Sequence, residues 1–260
     1  MQSRIGDVHY VEHGEGTPVL VLHGSGVDHR ETEACFEPAL GARGAHRRIY
    51  PDLPGMGHTP APASLRSADE VLDTLLGFAD EVVGTDTPLV VGHSAGGYYA
   101  QGMAERRPGW VAGLALVCPL LAGIRDVPAH RAVIRADDLG DDEFRGYFVV
   151  QTPEMLDRYQ GFVAPAVPLV DQAAMERIGE RWELNTHGGP PYDGPTLVVA
   201  GRQDSTVGYA AAADLLDYYP QATVAVLDGA GHALPHEQPD LLSSLIDDWL
   251  ARVARRTSSG

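Results

Sequence analysis

At 260 residues and 44% hydrophobic side chains, the chain is long enough to bury one large core and too apolar for disorder. Its formal net charge is −17 and its 19 basic residues are all arginine, which leaves little for a basic face and argues against nucleic acid and anionic membrane surfaces. Cys35 and Cys118, 83 positions apart, form neither a disulfide framework nor a zinc spacing, and no 18-residue apolar run or export-type leader is present, so a cytoplasmic location is expected.

Strand and helix signals alternate along the chain. Val8 to Glu12 reads as an early strand joined to the first residues by a turn at Gly6-Asp7. Pro18 to Leu22 and Arg47 to Tyr50 are short apolar strands, with a helix over Glu31 to Leu40 between them. Ser67-Ala68-Asp69-Glu70 is a capping box, and the helix it opens carries Val71, Leu72, Leu75, Leu76, Phe78 and Val82 on one stripe. There follow a strand at 88–91, a helix up to Arg106-Arg107, strands at 111–117 and 196–200, and a helix near 208–218. A strand at 222–227 and a last helix from Pro239 to Val253 complete the pattern, with 255–260 as a frayed tail. Such alternation predicts an α/β fold: a mostly parallel, doubly wound sheet with helices on both faces. Residues 123–193 break the rhythm with clustered acids, aromatics and turns such as Pro190-Pro191. They are read as a helical cap inserted after the sixth core strand, between core segments 1–122 and 194–260. Phe144, Phe148, Tyr159, Phe162 and Trp182 are expected to be cap core rather than pocket wall.

Gly92-His93-Ser94-Ala95-Gly96 directly follows a buried strand and precedes a helix, the context a nucleophile elbow requires. A serine hydroxyl needs a base, and the base needs an orienting acid. His232, in Gly231-His232-Ala233, follows strand 222–227, and Asp204, in Gly201-Arg202-Gln203-Asp204, follows strand 196–200. All three would leave the carboxyl ends of parallel strands, the edge at which open α/β sheets bind ligands. His236 is the nearest rival base, but Pro235 and the coming helix turn it elsewhere; His93 is expected to pack under the elbow. Histidines and acids do not fall at metal-ligand spacing, and the phosphate-loop lysine is missing, so neither metal nor cofactor is expected.

With the order serine, aspartate, histidine, together with His23-Gly24-Ser25-Gly26 and Pro51-Asp52-Leu53-Pro54-Gly55-Met56-Gly57, the chain resembles serine-nucleophile members of the α/β-hydrolase superfamily. The resemblance implies an oxyanion hole made by the backbone N–H groups of Ala95 and of Ser25 (or Gly26), and a structural role for Asp52. It implies hydrolysis of a small, largely apolar ester, lactone or thioester through an acyl-enzyme. The alternatives are hydrolysis of a C–C bond in a vinylogous 1,5-diketone, acyl transfer or cyclisation in biosynthesis, and a small-molecule receptor. The carbon–carbon branch ranks second because Val27, His93 and Ala233 stand where it often has Pro, Asn and Trp.

Overall fold

The computed structural model describes residues 2–42, 45–123, 126–185 and 192–257. Strands β1 (Gln2–Ile5) and β2 (Val8–His13) form a hairpin, and β3 (Thr17–Leu22), β4 (His46–Pro51), β5 (Leu89–His93), β6 (Gly113–Val117), β7 (Thr196–Gly201) and β8 (Ala222–Leu227) follow. The sheet order is β1-β2-β4-β3-β5-β6-β7-β8, antiparallel at β1/β2 and β2/β4 and parallel from β4 onwards. The predicted α/β architecture is therefore the observed one. Because β3 sends the chain to β4 on one side and β5 returns on the other, the sheet order reverses there. A crevice opens at the carboxyl ends of β3 and β5.

Period-two alternation decides which side chains meet which helices. Leu20, Leu22, Val90, Leu114 and Leu116 face α2 (Ala68–Val83) and α3 (Ala95–Arg106) in one apolar cluster. Val19, Val21, Val91, Ala115 and Val117 face α1 (His29–Gly41) and the long C-terminal helix (Pro239–Thr257) in another. Trp249, fully buried in the second cluster, donates its indole N–H to Pro195 O at 3.0 Å. At the start of α2, Ser67 Oγ accepts from Glu70 N as the capping box predicts, but the Glu70 carboxylate accepts from Arg66 N.

Residues 126–185 carry three short α-helices, α4 (Asp142–Tyr147), α5 (Pro153–Arg158) and α6 (Gln172–Gly179), with a π turn (Tyr159–Val163) and a 3₁₀ segment (Ala164–Leu169) between the last two. Phe144, Phe148, Met155, Tyr159 and Val163 pack there against Val27 and Ala233 of the strand-end loops, so this segment roofs the carboxyl edge of the sheet. Pro190-Pro191 and residues 258–260 lie outside the described residues. Two expectations need adjusting. The region near 208–218 is a 3₁₀ segment (Ala210–Asp214) followed by one helical turn, α7 (Leu215–Tyr218), since Pro220 drives Tyr219 out of helical geometry. The last helix, α9, runs through Thr257 past an adjoining turn, α8 (Leu234–Glu237), so Arg255 and Arg256 are helical rather than frayed.

Asp52 is fully buried at the end of β4 and fastens three segments. Its carboxylate accepts from the Nδ1 groups of His9 and His29, both at 2.8 Å, and from the N–H groups of His29 and His58, both at 2.9 Å. Gly57, at φ +56°, is required because a Cβ there would lie 2.4 Å from the Asp52 carboxyl. Burial opposes the Asp52 charge, but the His29 hydrogen bond and the neighbouring His23 hold its carboxyl well below the usual range. An unfolded aspartate titrates near 4, so this network stabilises the fold above that pH, and the contribution is lost as pH falls below it. Asp52→Ala is expected to cost about 3–5 kcal/mol in urea denaturation, because it strands buried donors. The variant should also show a shallower loss of Tm between about pH 5 and 3 than the wild type.

Candidate active site

Ser94 sits between β5 and α3 at φ +55°, ψ −120°, a conformation unfavourable for any residue with a Cβ. Two neighbours make the turn possible. A Cβ at Gly92 would lie 2.3 Å from Gly96 O, and one at Gly96 would lie 2.2 Å from Leu22 O. The elbow is locked by Ser94 N donating to Val117 O at 3.0 Å and by Ser94 O accepting from Leu120 N at 3.0 Å.

The three residues singled out in the sequence converge. His232 Nε2 lies 2.9 Å from Ser94 Oγ, and His232 Nδ1 lies 2.8 Å from Asp204 Oδ2. An ionised carboxylate only accepts, so Nδ1 carries the proton and Nε2 is left as the acceptor for the serine hydroxyl. Asp204 is fully buried, and its Oδ1 accepts from Thr206 N at 2.8 Å and Val207 N at 2.9 Å. Burial works against this charge, but the His232 bond outweighs it, with the two N–H bonds adding to the effect. The Asp204 carboxyl is thereby held below its ordinary value.

Opposite the serine lies the loop after β3. His23 Nε2 accepts from Leu53 N at 2.8 Å, so its Nδ1–H donates to Gly24 O at 2.7 Å and fixes the loop. Gly26 N–H points to Met56 Sδ at 3.3 Å. Among the described residues the Ser25 N–H meets no acceptor, and the Ala95 N–H, at the first position of α3, has none within its helix. Of the two loop N–H groups weighed in the sequence, that of Ser25 is therefore the one left without an acceptor.

A cavity of about 210 Å³ opens over Ser94 and His232, walled by Val27, Tyr147, Tyr159 and Val163 with Glu31 and Glu143. Tyr159 is thus pocket wall as well as packing, while Phe144 and Phe148 are core, as expected. A larger depression of about 380 Å³, around Arg181 and Asn185, is polar-rimmed and contains none of the three residues.

Sequence reading missed an acid behind this cavity. Glu31 lies in the first turn of α1 yet is 1% exposed. Its Oε1 accepts from Tyr147 Oη at 2.7 Å and faces His236 Nε2 at 3.3 Å, while Arg158 Nε donates to His236 Nδ1 at 3.0 Å. His93, expected to pack under the elbow, instead donates Nε2–H to His232 O at 3.0 Å and turns Nδ1 toward Glu31 Oε2 at 3.7 Å. Burial disfavours both charges, yet His236 and His93 hold the Glu31 carboxyl well below its ordinary value, and Glu31 raises His93. The signal was available: Glu31, Cys35 and Ala39 share one buried helical face, on which an acid is out of place.

Glu237 is the remaining fastener. Its carboxylate accepts from Gly231 N and Val149 N at 2.7 Å and from Val150 N at 3.1 Å, tying the roof to the His232 loop. The fold also gathers two ligand-type groups that spacing did not reveal, His9-His29-Asp52 and His93-Cys118-His232. The bonds to Asp52 already described organise the first group; in the second, Cys118 Sγ donates weakly to Gly231 O at 3.7 Å, and burial pushes its thiol well up. Among the described residues no helix is long and apolar enough to cross a membrane.

A mostly parallel sheet with a sharp serine elbow at its switch point defines the chain as an α/β-hydrolase-type protein. The alpha/beta hydrolase family model matches residues 19–245, and the chain belongs to that family. It is 30% identical to the pimeloyl-[acyl-carrier protein] methyl ester esterase of Methylococcus capsulatus, over 89% of this chain and 83% of that one. It is 28% identical to the magnesium-chelatase 30 kDa subunit of Rhodobacter capsulatus, over 91% and 87%. Identity to the 2-hydroxymuconate semialdehyde hydrolase of Pseudomonas putida is 25%, over 93% and 90%. The crystal structure of an alpha/beta superfamily hydrolase from Oenococcus oeni PSU-1 superimposes with a TM-score of 0.90 at 25% identity, over 98% and 99% of the two chains.

Proposed function

We propose that the protein is a serine hydrolase that cleaves a small, largely apolar ester, lactone or thioester through an acyl-enzyme. The observation that carries this reading is the unbroken hydrogen-bonded line Ser94–His232–Asp204 opening onto the cavity. His232 Nε2 takes the hydroxyl proton as Ser94 Oγ bonds to the carbonyl carbon. The Ser25 and Ala95 N–H groups hold the oxyanion, at roughly 3–4 kcal/mol per donor. Collapse expels the alcohol or thiol, which leaves with the proton from His232. Water, deprotonated by the same nitrogen, then releases the acid and restores Ser94.

A carbon–carbon hydrolase reading is kept because a relative carries that name. The cavity weighs against it: Glu31 and Glu143 on the wall repel the carboxylate of a dienoate substrate. Two measurements decide. A fluorophosphonate probe is expected to label Ser94, as read by peptide mass spectrometry. p-Nitrophenyl acetate should be hydrolysed in preference to a yellow ring-cleavage dienoate. An unlabelled Ser94 sinks the hydrolase reading, and a preference for the dienoate replaces the ester reading by the second one.

A further inference from the structure

His93 joins the elbow to the histidine loop, and the proposed triad gives it no role. It is 2% exposed, its ring centroid lies 5.1 Å from that of His232 with the planes 34° apart, and its Nε2–H donates to His232 O at 3.0 Å. A carbonyl only accepts, so Nε2 carries a proton. The charge of the ring then depends on Nδ1. That nitrogen faces Glu31 Oε2 at 3.7 Å, within ion-pair range, and the oxygen is enclosed with no hydrogen-bond partner among the described residues. A bare Nδ1 would set its lone pair against a buried carboxylate oxygen. A protonated one supplies the opposite charge that the oxygen otherwise lacks.

The surrounding groups leave this balance to His93. On α5, Arg158 Nε donates to Nδ1 of His236 in α8, so a neutral His236 turns its Nε2–H to Glu31 Oε1 at 3.3 Å, and burial holds His236 below its ordinary value. Arg158 thus stays one imidazole away from the carboxylate. Tyr147 of α4 donates to the same Oε1 at 2.7 Å as a neutral hydroxyl, its proton secured by burial. After β6, burial likewise keeps the Cys118 thiol protonated. After β7, Asp204 is matched by the Nδ1–H of His232. Glu237 of α8 spends its carboxylate on three backbone N–H groups. Glu31 in turn raises His93 against its burial.

Resting on the serine-hydrolase reading, we infer that His93 is a positioning residue that Glu31 holds as an imidazolium against the catalytic histidine. Its Nε2–H fixes the His232 carbonyl. Its charge opposes proton uptake by the facing ring, so His232 stays neutral, and able to act as a base, to lower pH.

The pH dependence of kcat/KM for p-nitrophenyl acetate, followed by acetate release, separates the charge from the hydrogen bond. His93→Gln keeps an N–H for the His232 carbonyl and removes the charge. Its acidic limb should move up by about one to two pH units, the order expected for two charges 5.1 Å apart in a partly screened site. His93→Leu removes both, and its plateau kcat should fall about tenfold below that of His93→Gln at similar KM, because the His232 loop loses its anchor. An unmoved acidic limb in His93→Gln, or equal plateaus for the two variants, overturns the inference. The wild type gives a check that needs no variant to fold. Nitrogen NMR of its histidine rings at pH 7 is expected to show protons on both nitrogens of His93, and a neutral His93 overturns the inference. Fluorophosphonate labelling separates the two levels: a labelled Ser94 with an unmoved acidic limb rejects the role of His93 alone, and an unlabelled Ser94 rejects the hydrolase reading together with it.

Discussion

Ser94→Ala is expected to lower kcat by about 10⁴–10⁶-fold while leaving Tm and substrate affinity close to those of the wild type. The loss is large because, on the proposed reading, the hydroxyl oxygen is the atom that becomes acylated, and among the described residues no other side chain is hydrogen-bonded to His232 Nε2 as Ser94 Oγ is, at 2.9 Å. The fold should tolerate the change. Alanine keeps the Cβ that already occupies the strained position at φ +55°, and the backbone bonds from Ser94 N to Val117 O and from Leu120 N to Ser94 O do not involve the side chain. Any remaining rate would come from water attacking a carbonyl still polarised by the Ser25 and Ala95 N–H groups. A single-turnover assay with a p-nitrophenyl ester, paired with a thermal melt, checks both halves. A variant retaining more than about a tenth of wild-type kcat would remove Ser94 as nucleophile.

Asp204→Asn should reduce kcat by about 10⁴-fold with the structure intact. The direction of the amide is set by the local backbone. Thr206 N and Val207 N, at 2.8 and 2.9 Å from Oδ1, need an acceptor, so the asparagine oxygen takes that place and its NH₂ turns to His232. Nδ1 must then accept, the ring proton moves to Nε2, and the nitrogen facing Ser94 can no longer take its proton. A variant with near-wild-type turnover would show that His232 does not rely on Asp204.

The parts of this protein legible in the sequence are those whose determinants are local. The alternation of Val19-Leu20-Val21-Leu22 between two helical layers, and the glycines at 92 and 96 that leave room for Gly96 O and Leu22 O, are written in consecutive residues. Ser94, Asp204 and His232 were readable because each follows a recognisable strand, and parallel strands deliver their ends to one edge. Glu31, His93 and His236 come from α1, the end of β5 and α8, and no spacing announces that they meet. The same holds for His9, His29 and Asp52. In residues 126–185 the helix starts were marked by Asp141, Thr152 and Asp171, each of which caps its helix through the side chain. The π turn at Tyr159–Val163 had no local cue, because packing against Val27 and Ala233 sets it.

The three backbone bonds gathered by Glu237 give the molecule a shared joint. Val149 and Val150 belong to the roof, and Gly231 immediately precedes His232, so a change in roof shape that moves residues 149 and 150 also pulls on the histidine. On the proposed serine-hydrolase reading, substrate range and turnover are mechanically linked, and a lineage altering one would have to adjust the other, either by compensating at Glu237 or by accepting a slower enzyme while the new pocket settles.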